Sequence, residues 1–143
     1  VLNVFFYYAD RKLSINHKIK LRRFIQDIFQ KEEIKIKRIN YIFCSDKYLL
    51  NINKIFLNHD YYTDVITFNL TNSKIPVEGE IYISTDRVID NAFKLKIKKE
   101  EEFHRVIIHG ALHLCGYQDK TTKELKLMRA KEKKYLSLFK KYK

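Results

Sequence analysis

HGALHLCGYQD, residues 109–119, carries the apolar run Val106, Ile107 and Ile108 on into Ala111, Leu112, Leu114 and Cys115. Apolar side chains then fall nearly all the way round a helical wheel, the pattern of a helix buried in the middle of a domain. The two polar side chains of that helix are His109 and His113, one turn apart, so both imidazoles leave the same face. Gly116 suits the left-handed position that ends a helix, and the turn it permits brings Asp119 back toward the histidines. Two imidazoles and a carboxylate around an open position form the ligand set of a catalytic transition-metal site, with one zinc ion (Zn2+) the first candidate. The alternative is a pair of core histidines bonded to backbone carbonyls, with Asp119 in a loop. The metal is preferred because a buried polar pair needs partners to offset its desolvation, and a shared ion serves both rings at once. HxxxH alone is a weak motif, whereas HxxxHxxGxxD with a helix before it and a glycine turn inside it is far more specific.

The 143 residues suit one domain, 1–143, long enough for a core without disulfide staples. Cys44 and Cys115 both lie in apolar runs, a usage that fits a reducing compartment and small core residues rather than a disulfide. Cys115 neighbours the metal stretch but is turned away from the His109 and His113 face, which makes it the lesser choice as a ligand. No run approaches the roughly 20 apolar residues of a membrane span, and the first residues lack a signal-peptide layout. A cytoplasmic protein with no membrane partner is expected. The net charge of +12 has a plain cause in lysine-rich composition, and its consequence is attraction to polyanions, nucleic acid first among them.

Outward from the motif, the chain opens with a strand over Leu2 to Tyr8. Asn16 is expected to cap a helix with Leu21, Phe24, Ile25 and Ile28 inward and Lys18, Lys20, Arg22 and Arg23 on the other face, a candidate phosphate contact. Ile34, Ile36, Ile39, Tyr41 and Phe43 alternate with polar residues but slip phase at Arg38, which predicts one bulged strand. Ser45 or Asp46 caps a second helix through about Phe56, with Leu49, Ile52 and Ile55 or Phe56 inward. A loop follows over Leu57 to Tyr62. TDVITF, Thr63 to Phe68, is read as a strand with Ile66, Phe68 and Leu70 on one face. A turn around Asn72 to Glu78, holding Pro76, joins it in a hairpin to GEIYIS, Gly79 to Ser84, where Glu80 and Tyr82 share a face. Asp86 opens a helix with Val88, Ile89, Ala92 and Phe93 inward, and Lys94 to Glu102 form a charged link. Thr121 and Glu124 make a capping box for the last helix, whose stripe is Leu125, Met128, Tyr135, Leu136 and Phe139, ahead of a frayed lysine-rich tail. The sum is an α+β domain: a small mixed sheet of about four strands packed with about five helices, with the metal site at the end of the central buried helix.

HGALHLCGYQD resembles the signature of the YbeY family of bacterial metal-dependent endoribonucleases, whose usual form is HGxLHLxGYDH. TDVITF resembles the family's TDVLSF and GEIYIS its GDIxIS, in the same order and at similar separations, over roughly the central and C-terminal two thirds of the chain. The resemblance implies a small mixed sheet with the metal at a cleft edge, a single-stranded RNA substrate, and a role in ribosomal RNA maturation, at the 16S rRNA 3′ end, and in ribosome quality control. Ribosomal RNA precursors and the ribosome are the implied partners. It also implies three histidine ligands, and here His109, His113 and Asp119 stand at those positions. Aspartate binds zinc readily but lowers the net charge of the site by one, for a somewhat less Lewis-acidic metal. Leu57 stands where the family commonly has an arginine before its TDV strand; Lys54 and His59 are the nearest replacement cations. Thr63 and Asp64 are read either as neighbours of the cleft or as a plain turn and strand start.

The chemistry follows without the family. A metal with three protein ligands leaves room for water and polarises an electrophile, either a peptide carbonyl or a phosphodiester. Zinc proteases with HExxHxxGxxH carry a glutamate after the first histidine as general base, and this chain has Gly110. That, with the positive charge, favours a phosphodiester, for which both water and the RNA 2′-hydroxyl are available nucleophiles. Glu80 and His59 are the candidates for a side-chain base. The other readings are a non-catalytic RNA-binding ribosome-assembly factor with a structural metal and, more remotely, a metalloprotease.

Overall fold

Alternating β-branched and aromatic residues build the strands β1 (Val4–Tyr8), β2 (Ile36–Cys44), β3 (Val65–Asn69) and β4 (Val77–Ser84). Helical periodicity builds α1 (Lys18–Lys31), α2 (Asp46–Leu57), α3 (Thr85–Leu95), α4 (Lys99–Leu114) and α5 (Thr122–Lys140). The structure, a computed structural model, describes residues 1–71 and 76–143. The turn expected around Asn72 to Glu78 falls at 72–75 outside the described residues, and its last part already belongs to β4.

The sheet order is β1-β2-β4-β3, with β1, β2 and β4 mutually parallel and β3 antiparallel on the edge. This is the expected small mixed sheet of an α+β fold. The phase slip in β2 is a bulge, since pairing with β4 shifts between Ile36 and Arg38. One face of the sheet supplies Val4, Ile39, Tyr41, Phe43, Ile81 and Ile83 to the main core beneath α1, α4 and α5. Among the described residues the other face carries a small cluster, Cys44, Leu49 and Ile66, under α2.

α4 is apolar on nearly all sides because it packs against α1, α3, α5, β3 and β4. The buried Tyr41 hydroxyl donates to Ile107 O at 2.7 Å, so the phenol enters the core satisfied. At Gly110 the helix lies so near β4 that an added Cβ would come 2.7 Å from Ile81 Cγ2. Glycine is the residue that permits this approach, and it brings the His109 turn down to the sheet.

Several local expectations are corrected. Asn16 does not cap α1; His17 takes that place in a left-handed conformation with φ 55° and no side-chain bond. Of the two caps expected for α2, Ser45 takes the place, accepting from Tyr48 N. α2 buries Leu49 and Asn53, leaving Ile55 and Phe56 73% and 64% exposed, because its small cluster accommodates a single stripe. α3 likewise buries Thr85, Val88 and Ala92, leaving Ile89 and Phe93 outside. Leu70 lies past β3, and Leu125 lies beyond the reach of the core on α5; both are exposed. The charged link is shorter than read, since α4 starts at Lys99. The tail is not frayed through its length: α5 continues to Lys140, and Tyr142 packs on Phe24 and donates to Asp27. Among the described residues no helix is long and apolar enough to cross a membrane.

Candidate metal centre

The last two turns of α4 present His109 and His113, whose rings stand 4.5 Å apart at 88°. Gly116, at φ 105°, lets the chain reverse after the helix, closed by Gly116 N to His113 O and Tyr117 N to Leu112 O. The reversal places Asp119 Oδ2 3.2 Å from His113 Nε2 and 3.3 Å from His109 Nε2, with the two Nε2 atoms 3.0 Å apart. His109, His113 and Asp119 are thus brought together as the sequence suggests, at the end of the central helix.

The outer nitrogens decide what the inner ones can do. His113 Nδ1 lies 2.9 Å from Tyr117 O, and a carbonyl only accepts, so the proton of a neutral ring resides on Nδ1. His109 Nδ1 lies 2.6 Å from Glu132 Oε2. Burial opposes ionisation of Glu132, but the hydrogen bond and charge of His109, with Arg105 and Arg129, outweigh it and hold its carboxyl below the usual range. An ionised carboxylate only accepts, so His109 also carries its proton on Nδ1. Burial, reinforced by His109, pushes the His113 pKa down against the pull of Asp119, which favours the neutral ring. With both rings neutral, as metal binding requires, two Nε2 lone pairs and a carboxylate oxygen converge with no donor among them. Their 3.0–3.3 Å spacing is close to the ~3.3 Å between donor atoms of a tetrahedral ion with bonds of about 2.0–2.1 Å. The donor set fits a zinc-like cation.

Behind the histidines lies a buried ionic chain that sequence reasoning missed. Arg105 donates to both oxygens of Glu102 at 2.8 and 2.9 Å and to Glu132 at 3.2 Å, and its guanidinium lies 3.6 Å from Asp64. Glu102 and Glu132 are only 1% and 2% exposed, so they depend on these partners. A signal existed. Glu102, Arg105, His109 and His113 follow one another at helical spacings on a single face of α4, and Glu132 interrupts the stripe between Met128 and Tyr135 on α5. The glycine turn is anchored as well: Tyr117 donates to Glu32 at 2.6 Å, beside Tyr135 and Lys131.

A cleft of about 510 Å³ opens over the three residues, walled by Leu57, His59, Tyr61, Thr63, Asp64 and Lys120 among others. Thr63 and Asp64 line the cleft, immediately ahead of the start of β3. Lys54 is spoken for by Asp60 at 3.3 Å and does not line the cleft. Glu80 lies on β4 and accepts from Tyr82, outside the cleft. Two of the α1 cations are engaged elsewhere: Arg22 donates to Val4 O, and Lys20 stands over Phe139. Cys44 and Cys115 are free thiols. Burial pushes the Cys115 thiol up to about 12, consistent with a core residue turned from the histidines.

The sequence model of the family described as Endoribonuclease YbeY matches residues 7–140. Among similar proteins, Endoribonuclease YbeY of Cytophaga hutchinsonii is 50% identical over 135 residues, 94% of this chain and 94% of that protein. Endoribonuclease YbeY of Christiangramia forsetii is 41% identical over 133 residues, 93% and 92% of the two chains. The solution structure of TM1509 from Thermotoga maritima superposes with a TM-score of 0.68 at 31% identity, covering 94% of this chain and 88% of the other.

Proposed function

The chain belongs to the endoribonuclease YbeY family, and on that premise we propose that it is a metal-dependent, single-strand-specific endoribonuclease of one domain, residues 1–143. Its metal is one zinc ion held by His109, His113 and Asp119. Its substrates are ribosomal RNA precursors, processed at the 16S rRNA 3′ end, and the RNA of defective ribosomes, in the cytoplasm. The observation that supports this most is the convergence of three acceptor atoms, without a donor, on the floor of an open cleft.

Held by His109, His113 and Asp119, a zinc ion would supply Lewis-acid polarisation of a phosphodiester. The chain's own residues do the positioning. Glu132 and the Tyr117 carbonyl hold the protons of both rings on Nδ1 and aim Nε2 inward. Asp119 contributes the negative charge that offsets the cation. Lys120, exposed on the cleft wall, and the net charge of +12 attract the phosphate backbone. Proteolysis is disfavoured by position 110, where glycine stands in place of a glutamate base and an added Cβ would come 2.7 Å from Ile81 Cγ2.

The test compares metal-loaded, chelated and zinc-restored protein on a labelled single-stranded RNA. Cleavage is expected with metal, lost on chelation and regained with zinc, and RNA binding weakens steeply with salt. Equal cleavage by the chelated protein overturns the metal role. Binding without cleavage by the loaded protein points instead to an assembly factor.

A further inference from the structure

Two aromatic rings at the metal cleft belong to neither core cluster. His59 and Tyr61 stack with centroids 5.1 Å apart and planes 22° from parallel, and the Tyr61 hydroxyl lies 3.0 Å from His59 Nδ1. Both line the cleft with His109, His113 and Asp119. Tyr61 nonetheless keeps 56% of its surface exposed, and His59 is exposed too. Aromatic side chains ordinarily contribute to a fold by burying their area; this pair is held out in water.

The loop is built to hold it there. Asn53, 1% exposed, donates from Nδ2 to Tyr61 O at 2.9 Å, and its backbone carbonyl accepts from His59 N at 3.1 Å. Asn58 turns the chain in a left-handed conformation at φ 56°, and Lys54 pairs with Asp60. One buried asparagine thereby fixes the backbone on both sides of Asp60 and sets the rings against each other. Little ordering is left to lose when something flat lands on them.

We propose that the His59 and Tyr61 stack is a nucleobase subsite, on which one unpaired base rests while the adjoining phosphate reaches His109, His113 and Asp119. This rests on the endoribonuclease reading and adds to it a source of strand selectivity. Every base has a π face, so the platform tolerates sequence, but only a base outside a duplex offers that face.

The test is fluorescence anisotropy of zinc-loaded protein with a labelled 2′-O-methyl oligoribonucleotide whose integrity is checked on a gel, alongside cleavage of unmodified RNA. Tyr61→Ala weakens binding about tenfold or more, and Tyr61→Phe stays within about twofold of wild type. Wild type binds an oligonucleotide with abasic residues as weakly as Tyr61→Ala binds the intact one. Equal binding by wild type and Tyr61→Ala, or of intact and abasic strands by wild type, overturns the subsite. If wild type still cleaves in that case, the nuclease stands without the platform. Base-dependent binding without cleavage supports the platform and removes the nuclease, and no binding by wild type overturns both.

Discussion

Two polar clusters in this molecule are built from the same kinds of groups and differ in one respect. At the starts of α2 and α3, Arg87 donates to Asp46 at 2.7 Å and Asp90 at 3.3 Å, Ser84 donates to Asp46, and Ser45 donates to Asp10. Each of those carboxylates faces a donor of the chain. At the end of α4, Glu132 and the Tyr117 carbonyl occupy the histidine protons, so His109, His113 and Asp119 are left as three acceptors facing one another. The first cluster is closed but for Arg87 Nε, a buried donor without a partner, and its carboxylates need nothing from solution. The second is short of a positive charge, and that deficit is what makes it the candidate binding site.

The contrast breaks most visibly at a ligand. His113→Ala should lose bound metal and with it RNA cleavage, down to the level of chelated protein; elemental analysis showing one metal per chain in that variant would dissolve the distinction. Glu132→Gln keeps the shape but replaces the acceptor that fixes the His109 proton, and should weaken zinc binding about 10–100-fold in a competition titration. Unchanged affinity would make Glu132 a bystander. In the closed cluster the effect should move to folding alone. Arg87→Met leaves Asp46 without its guanidinium and should lower unfolding stability by about 1–3 kcal/mol in denaturant, with metal content untouched.

The smallest effect separates the histidines of α4 by role. His104 packs edge-on against Phe139, and burial lowers its pKa against the opposing charge of Glu100, with Lys20 adding to the lowering. The unfolded chain then binds that proton more tightly, so stability falls as pH drops below the ordinary value of 6.5 and is fully present above it. His104→Gln should flatten that fall in denaturant midpoints without altering metal content, and an equally steep acid loss in the variant would remove the assignment.

Much of this was legible in the sequence because the relevant patterns are local. His109 and His113 share a helix, Gly116 marks its end, and the Arg38 phase slip marks the bulge. What stayed hidden depended on packing between distant elements. Glu132 reaches His109 across 23 residues, and only the docking of α5 on α4 brings them together. Ile55, Phe56, Ile89 and Phe93 fit a helical stripe as well as their buried neighbours do. They remain outside because α2 and α3 each bury one narrow stripe, whose width is set by the partner rather than by the helix's own sequence. The His59 and Tyr61 stack was hidden for a related reason: it depends on Asn53, a residue of α2 that gives no sign in the sequence of the loop it pins.

Asp119 carries the central claim, because it supplies the third acceptor and is, of the three candidate ligands, the one that departs from the resembled motif. The direct measurement is zinc per chain, by elemental analysis after dialysis, in wild type, Asp119→Ala and Asp119→His side by side. One ion per chain in wild type, well below one in Asp119→Ala and restoration in Asp119→His is the expected result. Full occupancy in Asp119→Ala, or no zinc in the wild-type protein, would contradict it.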